Sequence, residues 1–91
     1  MNKRTLITVW GEVQGVNFRV MVKMKAEKLN LKGWVANLGN GAVKIEAEGK
    51  DYALDKLIDW INSSPGLSIV ADIKIEWLVY KNIFENFAIK Y

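Results

Sequence analysis

The chain has 91 residues, 51% of them hydrophobic, which is enough for one compact domain with a single core spanning residues 1–91. Cysteine and histidine are both absent, so the sequence excludes disulfides, thiolate chemistry and imidazole as a general base or metal ligand. Its 13 basic and 10 acidic side chains, net charge +3, are interspersed along the chain, and this mixture predicts an ordinary solvated surface without a basic patch for nucleic acid.

The first apolar segment, Thr5 to Val13, is rich in β-branched residues and predicts a strand. The Gly11-Glu12 pair near its end predicts an irregularity in that strand. An amphipathic helix ending near Asn30 is expected next, because apolar residues recur at helical spacing with lysines between them: Phe18, Val22, Ala26 and Leu29. The apolar run at the start is too short for a signal peptide, and no stretch reaches membrane-spanning length. We expect a cytoplasmic protein with no membrane partner.

A hairpin is predicted in the middle of the chain. Gly33 starts a short strand, Trp34 to Asn37, and the turn Leu38-Gly39-Asn40-Gly41 follows, whose Asn-Gly pair suits positive φ angles. The return strand, Ala42 to Glu48, has apolar and charged residues in alternation, as in a sheet with one solvated face. Gly49 is expected to end this strand.

The second half of the chain predicts a helix and two strands. Asp51 to Asn62 carries leucines and isoleucines at helical spacing, and Asp51 and Asp55 favour the positive end of the helix dipole. A further strand is expected over Ile69 to Trp77, longer than the others, with these residues on one face: Ile69, Ala71, Ile73, Ile75 and Trp77. A terminal strand is expected at residues 87 to 91, where apolar residues again alternate: Phe87, Ile89 and Tyr91.

The order β-α-β-β-α-β with an added C-terminal strand predicts an α/β fold, an α+β sandwich of the ferredoxin-like type. Because the strands have one solvated face, both helices are expected to cover the opposite face of a mainly antiparallel sheet. The large aromatic residues are expected to pack between helices and sheet rather than to form a stacking platform. The tryptophans concerned are Trp10, Trp34, Trp60 and Trp77.

The loop from Gln14 to Arg19 joins the first strand to the first helix and is the candidate for an anion site. A chain that enters a helix leaves several backbone N–H groups unpaired, and these groups attract anions. Arg19, in the first turn, can place a bidentate guanidinium over the same anion. The sequence therefore predicts a cradle for a terminal phosphoryl group.

Three parts of the sequence carry a resemblance to a known family. Residues 11 to 19 read G-E-V-Q-G-V-N-F-R, which resembles the acylphosphatase signature G-(R/K)-V-Q-G-V-x-(F/Y)-R. A second segment is similar to the family in Gly33-Trp34-Val35-Ala36-Asn37, Gly41-Ala42-Val43 and Glu48-Gly49. The resemblance continues to Phe87-Ala88-Ile89-Lys90-Tyr91 and so covers essentially the whole chain. Two motifs at family spacing are far more specific than one glycine-rich loop.

The resemblance implies an enzyme that hydrolyses small acyl phosphates to a carboxylate and inorganic phosphate, with no metal and no cofactor. It implies that Arg19 binds the phosphate and that Asn37 orients the attacking water, so these two are the expected catalytic residues. The expected phosphate-binding set consists of Gln14, Gly15, Val16, Asn17, Phe18 and Arg19. We expect this single acylphosphatase-like domain to be a monomer.

The expected residues suit this chemistry. The leaving group of an acyl phosphate is a carboxylate, so positioning water and stabilising charge on the phosphoryl oxygens can suffice without a strong base. The amide of Asn37 is neutral and can only orient the water. A phosphate oxygen of the substrate is then the hypothesised acceptor of the water's proton.

Four positions depart from the family pattern. Glu12 stands where the family has Arg or Lys, and Ala36 replaces a frequent basic residue, so the site is expected to be less positive. Asn17 tolerates left-handed backbone, so the loop geometry is expected to survive. Asn30, in place of a common glycine, is expected to cap the first helix.

Two other functions compete with the enzyme. Acylphosphatase-like modules also occur inside larger carbamoyl-transfer maturation proteins, so a phosphate-binding module without turnover is the first alternative. An RNA-binding module is the second, since ferredoxin-like sheets can present aromatic residues to bases. The strands lack the RNP1 pattern, and Lys44-Ile45-Glu46-Ala47-Glu48 places charges on the exposed face. We therefore expect no nucleic-acid partner.

Overall fold

The fold was analysed in a computed structural model that describes all residues, 1–91. Five strands and two helices follow one another along the chain as β1 (Asn2–Glu12), α1 (Phe18–Lys28), β2 (Lys32–Asn37), β3 (Val43–Lys50), α2 (Asp51–Asn62), β4 (Ile69–Leu78) and β5 (Phe87–Lys90). This order confirms the predicted β-α-β-β-α-β arrangement with an added C-terminal strand. Neither helix is long and apolar enough to cross a membrane.

The strands form one sheet in the order β4-β1-β3-β2-β5. Three of the neighbouring pairs are antiparallel, and the β2–β5 pair is parallel. Helix α1 packs on β2 and β5, whereas α2 packs on β3, β1 and β4. The chain is therefore the expected ferredoxin-like sandwich, with a mainly antiparallel sheet.

The core lies between the sheet and the helices and consists of a single cluster of 17 buried residues. Every helix and strand except β4 contributes to this cluster. The partly buried side chains of Val70, Ile73 and Ile75 on β4 pack against it. Fully buried members from the centre of the sheet include Ile7, Val9 and Ile45. Burial of such side chains stabilises a domain by about 1.5–3 kcal/mol each. This shared core holds β1, α1, β2 and β5, the elements that frame the site, in fixed relative positions.

A bulge between β1 and β4 confirms the expected irregularity at Gly11. The register shifts between Trp10, which pairs with Asp72, and Gly11, which pairs with Val70. A Cβ atom at Gly11 would lie 2.1 Å from the carbonyl oxygen of Ile69, so only glycine fits this close approach. The expected apolar face of β4 is therefore wrong at its start: Ile69 is 56% exposed, and Val70 packs against the core instead.

Three smaller expectations also differ from the structure. Strand β1, with 11 residues, is longer than β4, which has 10. Gly49 lies within β3 and does not end it, since pairing with β1 continues to Lys50. Trp77 is 48% exposed and lies under the ammonium of Lys3. Of the four tryptophans expected between helices and sheet, only Trp60 packs against the core cluster, so the expectation is wrong for Trp10, Trp34 and Trp77.

Candidate active site

The loop between β1 and α1 has the backbone geometry that an anion cradle requires. Gly15 has φ +77° and no neighbouring atom near its missing Cβ, and Asn17, at the start of α1, has φ 65°. Left-handed backbone of this kind turns successive N–H groups toward one side of the loop. Asparagine adopts this backbone at lower cost than most residues. The observed φ of Asn17 therefore confirms the expectation for this position.

The N–H groups of this loop have no partner within the protein. Outside the helices and strands, no backbone hydrogen bond is donated by an N–H group of residues 15 to 20. The loop takes part in one such bond, in which the N–H of Met21 donates to the carbonyl oxygen of Asn17. The side chain of Asn17 does not cap the helix. Unpaired N–H groups at a helix start carry partial positive charge, so this loop can bind the oxygens of a phosphoryl group.

Arg19 lies beside this loop and supplies the full positive charge of the site. Its Cζ atom is 4.8 Å from the centre of the Tyr91 ring, a cation–π contact that restricts the side chain. Arg19 takes part in none of the three ion pairs of the chain. Its five N–H donors therefore remain available for an anion.

Asn37, the last residue of β2, faces the same space. Its side-chain oxygen is buried and accepts no hydrogen bond in the protein. Buried polar atoms are almost always hydrogen-bonded, so an orphaned amide oxygen indicates a partner that comes from outside, such as a water molecule. This atom is thus suited to accept a hydrogen bond from a bound water and so orient it.

Arg19, Asn37 and the loop line one cavity of about 200 Å³. Its complete lining consists of Val13, Gly15, Asn17, Phe18, Arg19, Val20, Asn37, Ile89 and Tyr91. The structure therefore brings together both expected catalytic residues and four of the six expected phosphate-binding residues. Arg19 has the only charged side chain among the residues that line the cavity.

Gln14 and Val16, which were also expected to bind phosphate, do not line this cavity. The side-chain nitrogen of Gln14 instead donates to the carbonyl oxygens of Leu38 and Ala42, each at 2.8 Å. Both carbonyls belong to the turn of the β2–β3 hairpin, which Asn40 stabilises by accepting from the N–H of Ala42. Gln14 thus connects the loop from Gln14 to Arg19, called the anion-binding loop below, to the hairpin that carries Asn37.

Sequence reasoning missed the role of β5 in the site. Strand β5 pairs with β2 in parallel, and the last pair is Ala36 with Lys90. Asn37 and Tyr91 come directly after this pair, and both line the cavity. The alternation of Phe87, Ile89 and Tyr91 signalled that they share a face, but not that β5 lies next to β2. The structure has no group of three or more acidic side chains arranged to hold a metal ion.

Comparison with known proteins identifies the family. The acylphosphatase family model matches residues 5–89. The chain belongs to the acylphosphatase family. It is 40% identical to the acylphosphatase of Geotalea uraniireducens over 91 residues, covering 100% of both chains. The crystal structure of acylphosphatase from Bacillus subtilis matches with a TM-score of 0.93 and 37% identity, again covering 100% of both chains.

These acylphosphatase relatives support the same hydrolase function for this chain, and they confirm the ferredoxin-like fold. Full-length HypF, solved in a phosphate- and nucleotide-bound form, contains a similar segment with a TM-score of 0.87 and 32% identity. This chain covers only 12% of HypF, whereas it matches the acylphosphatases along their whole length. The comparisons give no support to the alternative of a binding module without turnover.

Proposed function

We propose that this chain hydrolyses acyl phosphates with Arg19 and Asn37 as its catalytic residues and with no metal or cofactor. The observation that carries the proposal is the cavity shared by the Arg19 guanidinium, the orphaned oxygen of Asn37 and a loop of unpaired N–H groups. One cation and several N–H donors suit a phosphoryl group, and an unpaired oxygen suits a water.

In the proposed reaction the phosphoryl oxygens bind to Arg19 and to N–H groups of the loop, among them those of Gly15, Asn17 and Phe18. The water held by Asn37 attacks phosphorus, and the bond between phosphorus and the acyl oxygen breaks. The carboxylate leaves with the electron pair of that bond. A proton of the water passes to a phosphoryl oxygen, because Asn37 has no basic atom for it. Arg19 and the loop stabilise the charge on the phosphoryl oxygens, while Asn37 fixes the line of attack.

The test is the rate of hydrolysis of benzoyl phosphate by the pure protein in the presence of a chelator, for the parent, Arg19→Ala and Asn37→Ala. We expect turnover by the parent and a loss of at least about 100-fold in kcat/KM for each variant, as for removal of one transition-state donor. Far-ultraviolet circular dichroism and urea unfolding check that the variants stay folded. Activity that disappears with the chelator, or that survives in folded Asn37→Ala, would contradict the proposal.

We also propose that residues 1–91 act as one domain and as a monomer, without a nucleic-acid partner. The single core cluster between the helices and the sheet supports one domain, and the interspersed charges give no stripe for a phosphate backbone. Sedimentation velocity tests the monomer. Retention of single-stranded RNA at physiological salt would contradict the absence of a nucleic-acid partner.

A further inference from the structure

The cavity that holds the candidate active site has one charged wall and one apolar wall. The charged wall consists of Arg19 and the anion-binding loop. The apolar wall consists of Val20 on α1 and Ile89 and Tyr91 at β5. With a phosphoryl group at Arg19 and the loop and a water at Asn37, the lining residues left to contact the acyl group are mostly apolar, and the apolar wall is among them.

No second cation is available to the acyl group. Arg19 has the one charged side chain in the lining. Its guanidinium contacts the Tyr91 ring and, in the proposed reaction, binds the phosphoryl group. The lysine nearest in sequence on α1, Lys23, pairs with Glu27 at 2.8 Å. Lys90 of β5 lies 4.3 Å from the ring centre of Trp34, a residue that does not line the cavity.

We propose that this site selects acyl phosphates whose acyl group is uncharged, and that Val20 is a specificity-determining residue. The inference rests on the proposed acyl phosphate hydrolysis. An uncharged acyl group gains apolar contact with Val20 and Ile89 in the transition state. An acyl group with its own carboxylate loses part of its hydration there and meets no second cation to compensate for the loss.

The size of the effect follows from the openness of this wall. Val20 is 38% exposed, so a carboxylate against it keeps part of its hydration. We therefore expect a preference of about tenfold in kcat/KM, which corresponds to about 1.4 kcal/mol. A deeply buried wall would give a larger preference.

The experiment compares two substrates of the same shape, 4-carbamoylbenzoyl phosphate and 4-carboxybenzoyl phosphate, which differ in the charge of the group remote from phosphorus. Each enzymatic kcat/KM is divided by the substrate's uncatalysed rate, which removes differences in leaving-group reactivity. The parent is measured beside Val20→Lys, which places an ammonium on the apolar wall, and Val20→Met, a control of similar length without charge. Both substitutions suit an exposed helix position.

We expect the parent and Val20→Met to prefer the carbamoyl substrate about tenfold, and Val20→Lys to lose this preference. Equal use of both substrates by the parent would overturn the inference and leave the proposed function intact. A preference that Val20→Lys does not change would overturn the assignment of Val20. Absence of turnover with both substrates would overturn the proposed function and the inference together.

Discussion

The side-chain amide nitrogen of Gln14 lies 2.8 Å from the carbonyl oxygen of Leu38 and donates a hydrogen bond to it. A second bond from the same nitrogen reaches Ala42 across the turn. Gln14 belongs to the anion-binding loop, and Leu38 directly follows Asn37. The two hydrogen bonds therefore tie the loop proposed to bind phosphate to the hairpin whose Asn37 is proposed to hold the water.

Replacing Gln14 with leucine removes both hydrogen bonds at nearly constant side-chain volume. We expect kcat for benzoyl phosphate to fall about 10- to 100-fold, because a small displacement of Asn37 spoils the alignment of the water. Inhibition by inorganic phosphate is expected to change less than threefold or so, since Arg19 and the loop remain. Steady-state kinetics with phosphate as inhibitor measure both effects.

Gln14→Glu is a second variant that tests the same hydrogen bonds. It keeps the side-chain length but replaces the donor with a carboxylate facing two carbonyl oxygens. We expect it to be at least as impaired in kcat as Gln14→Leu. Equal losses of kcat and of phosphate affinity in Gln14→Leu would show that Gln14 acts on the loop itself and not on the hairpin.

Loss of the contact between Arg19 and Tyr91 is expected to weaken substrate binding, with a smaller effect than the Gln14 substitutions have on kcat. Tyr91→Leu removes the ring that lies 4.8 Å from the guanidinium carbon, so Arg19 samples more conformations before it binds the substrate. We expect KM for benzoyl phosphate to rise about two- to fivefold, with kcat within about twofold of the parent, from a cation–π contribution of about 0.5–1 kcal/mol. Tyr91→Phe retains the ring and should behave as the parent. Unchanged KM in Tyr91→Leu would count against a role for this contact.

The left-handed backbone at Asn17 predicts a difference in stability between two small substitutions. Asn17 has φ 65°, where alanine is disfavoured by about 1–2 kcal/mol and glycine is not. We expect Asn17→Ala to lower the free energy of unfolding by about 1 kcal/mol and Asn17→Gly to leave it within about 0.5 kcal/mol of the parent. Urea unfolding followed by circular dichroism measures both. The reverse order of stability would contradict this backbone assignment.

Glu48 lies at the end of the sheet opposite to the candidate active site, and its replacement is expected to lower stability more than Asn17→Ala does. Its carboxylate, with only 3% of the residue exposed, accepts hydrogen bonds from the backbone N–H groups of Lys81, Asn82 and Ile83 at 2.7, 2.9 and 3.0 Å. These bonds hold the segment between β4 and β5. Glu48→Ala leaves three N–H groups without acceptors, and we expect the free energy of unfolding to fall by about 3 kcal/mol or more.

Urea unfolding measures this effect, with Glu85→Gln as the control, because Glu85 is an exposed carboxylate in the same segment. The control is expected to stay within about 0.5 kcal/mol of the parent. A loss below about 1 kcal/mol in Glu48→Ala would show that the segment is held mainly by other contacts.

Local features of the fold were predictable from the sequence, because they depend on neighbouring residues. Helix α2 begins at Asp51 and ends at Asn62 as its apolar spacing and its first acidic residue indicate. The bulge at Gly11 and the left-handed backbone at Asn17 and Asn30 also follow from local chemistry. Of the β2–β3 turn, only Gly41 adopts positive φ, while Asn40 contributes a hydrogen bond through its side chain.

The sequence by itself also determined that Arg19 and Asn37 are the candidate catalytic pair, because both occur in motifs at family spacing. Only the tertiary structure decided what surrounds them. The pairing of β5 with β2 brings Ile89 and Tyr91 to the cavity, and the β1–β4 bulge turns Val70 rather than Ile69 toward the core. Gln14 likewise finds its partners 24 and 28 residues away, at Leu38 and Ala42. Such contacts depend on strand order and register, which are set by packing of the whole chain and not by the local pattern of residues.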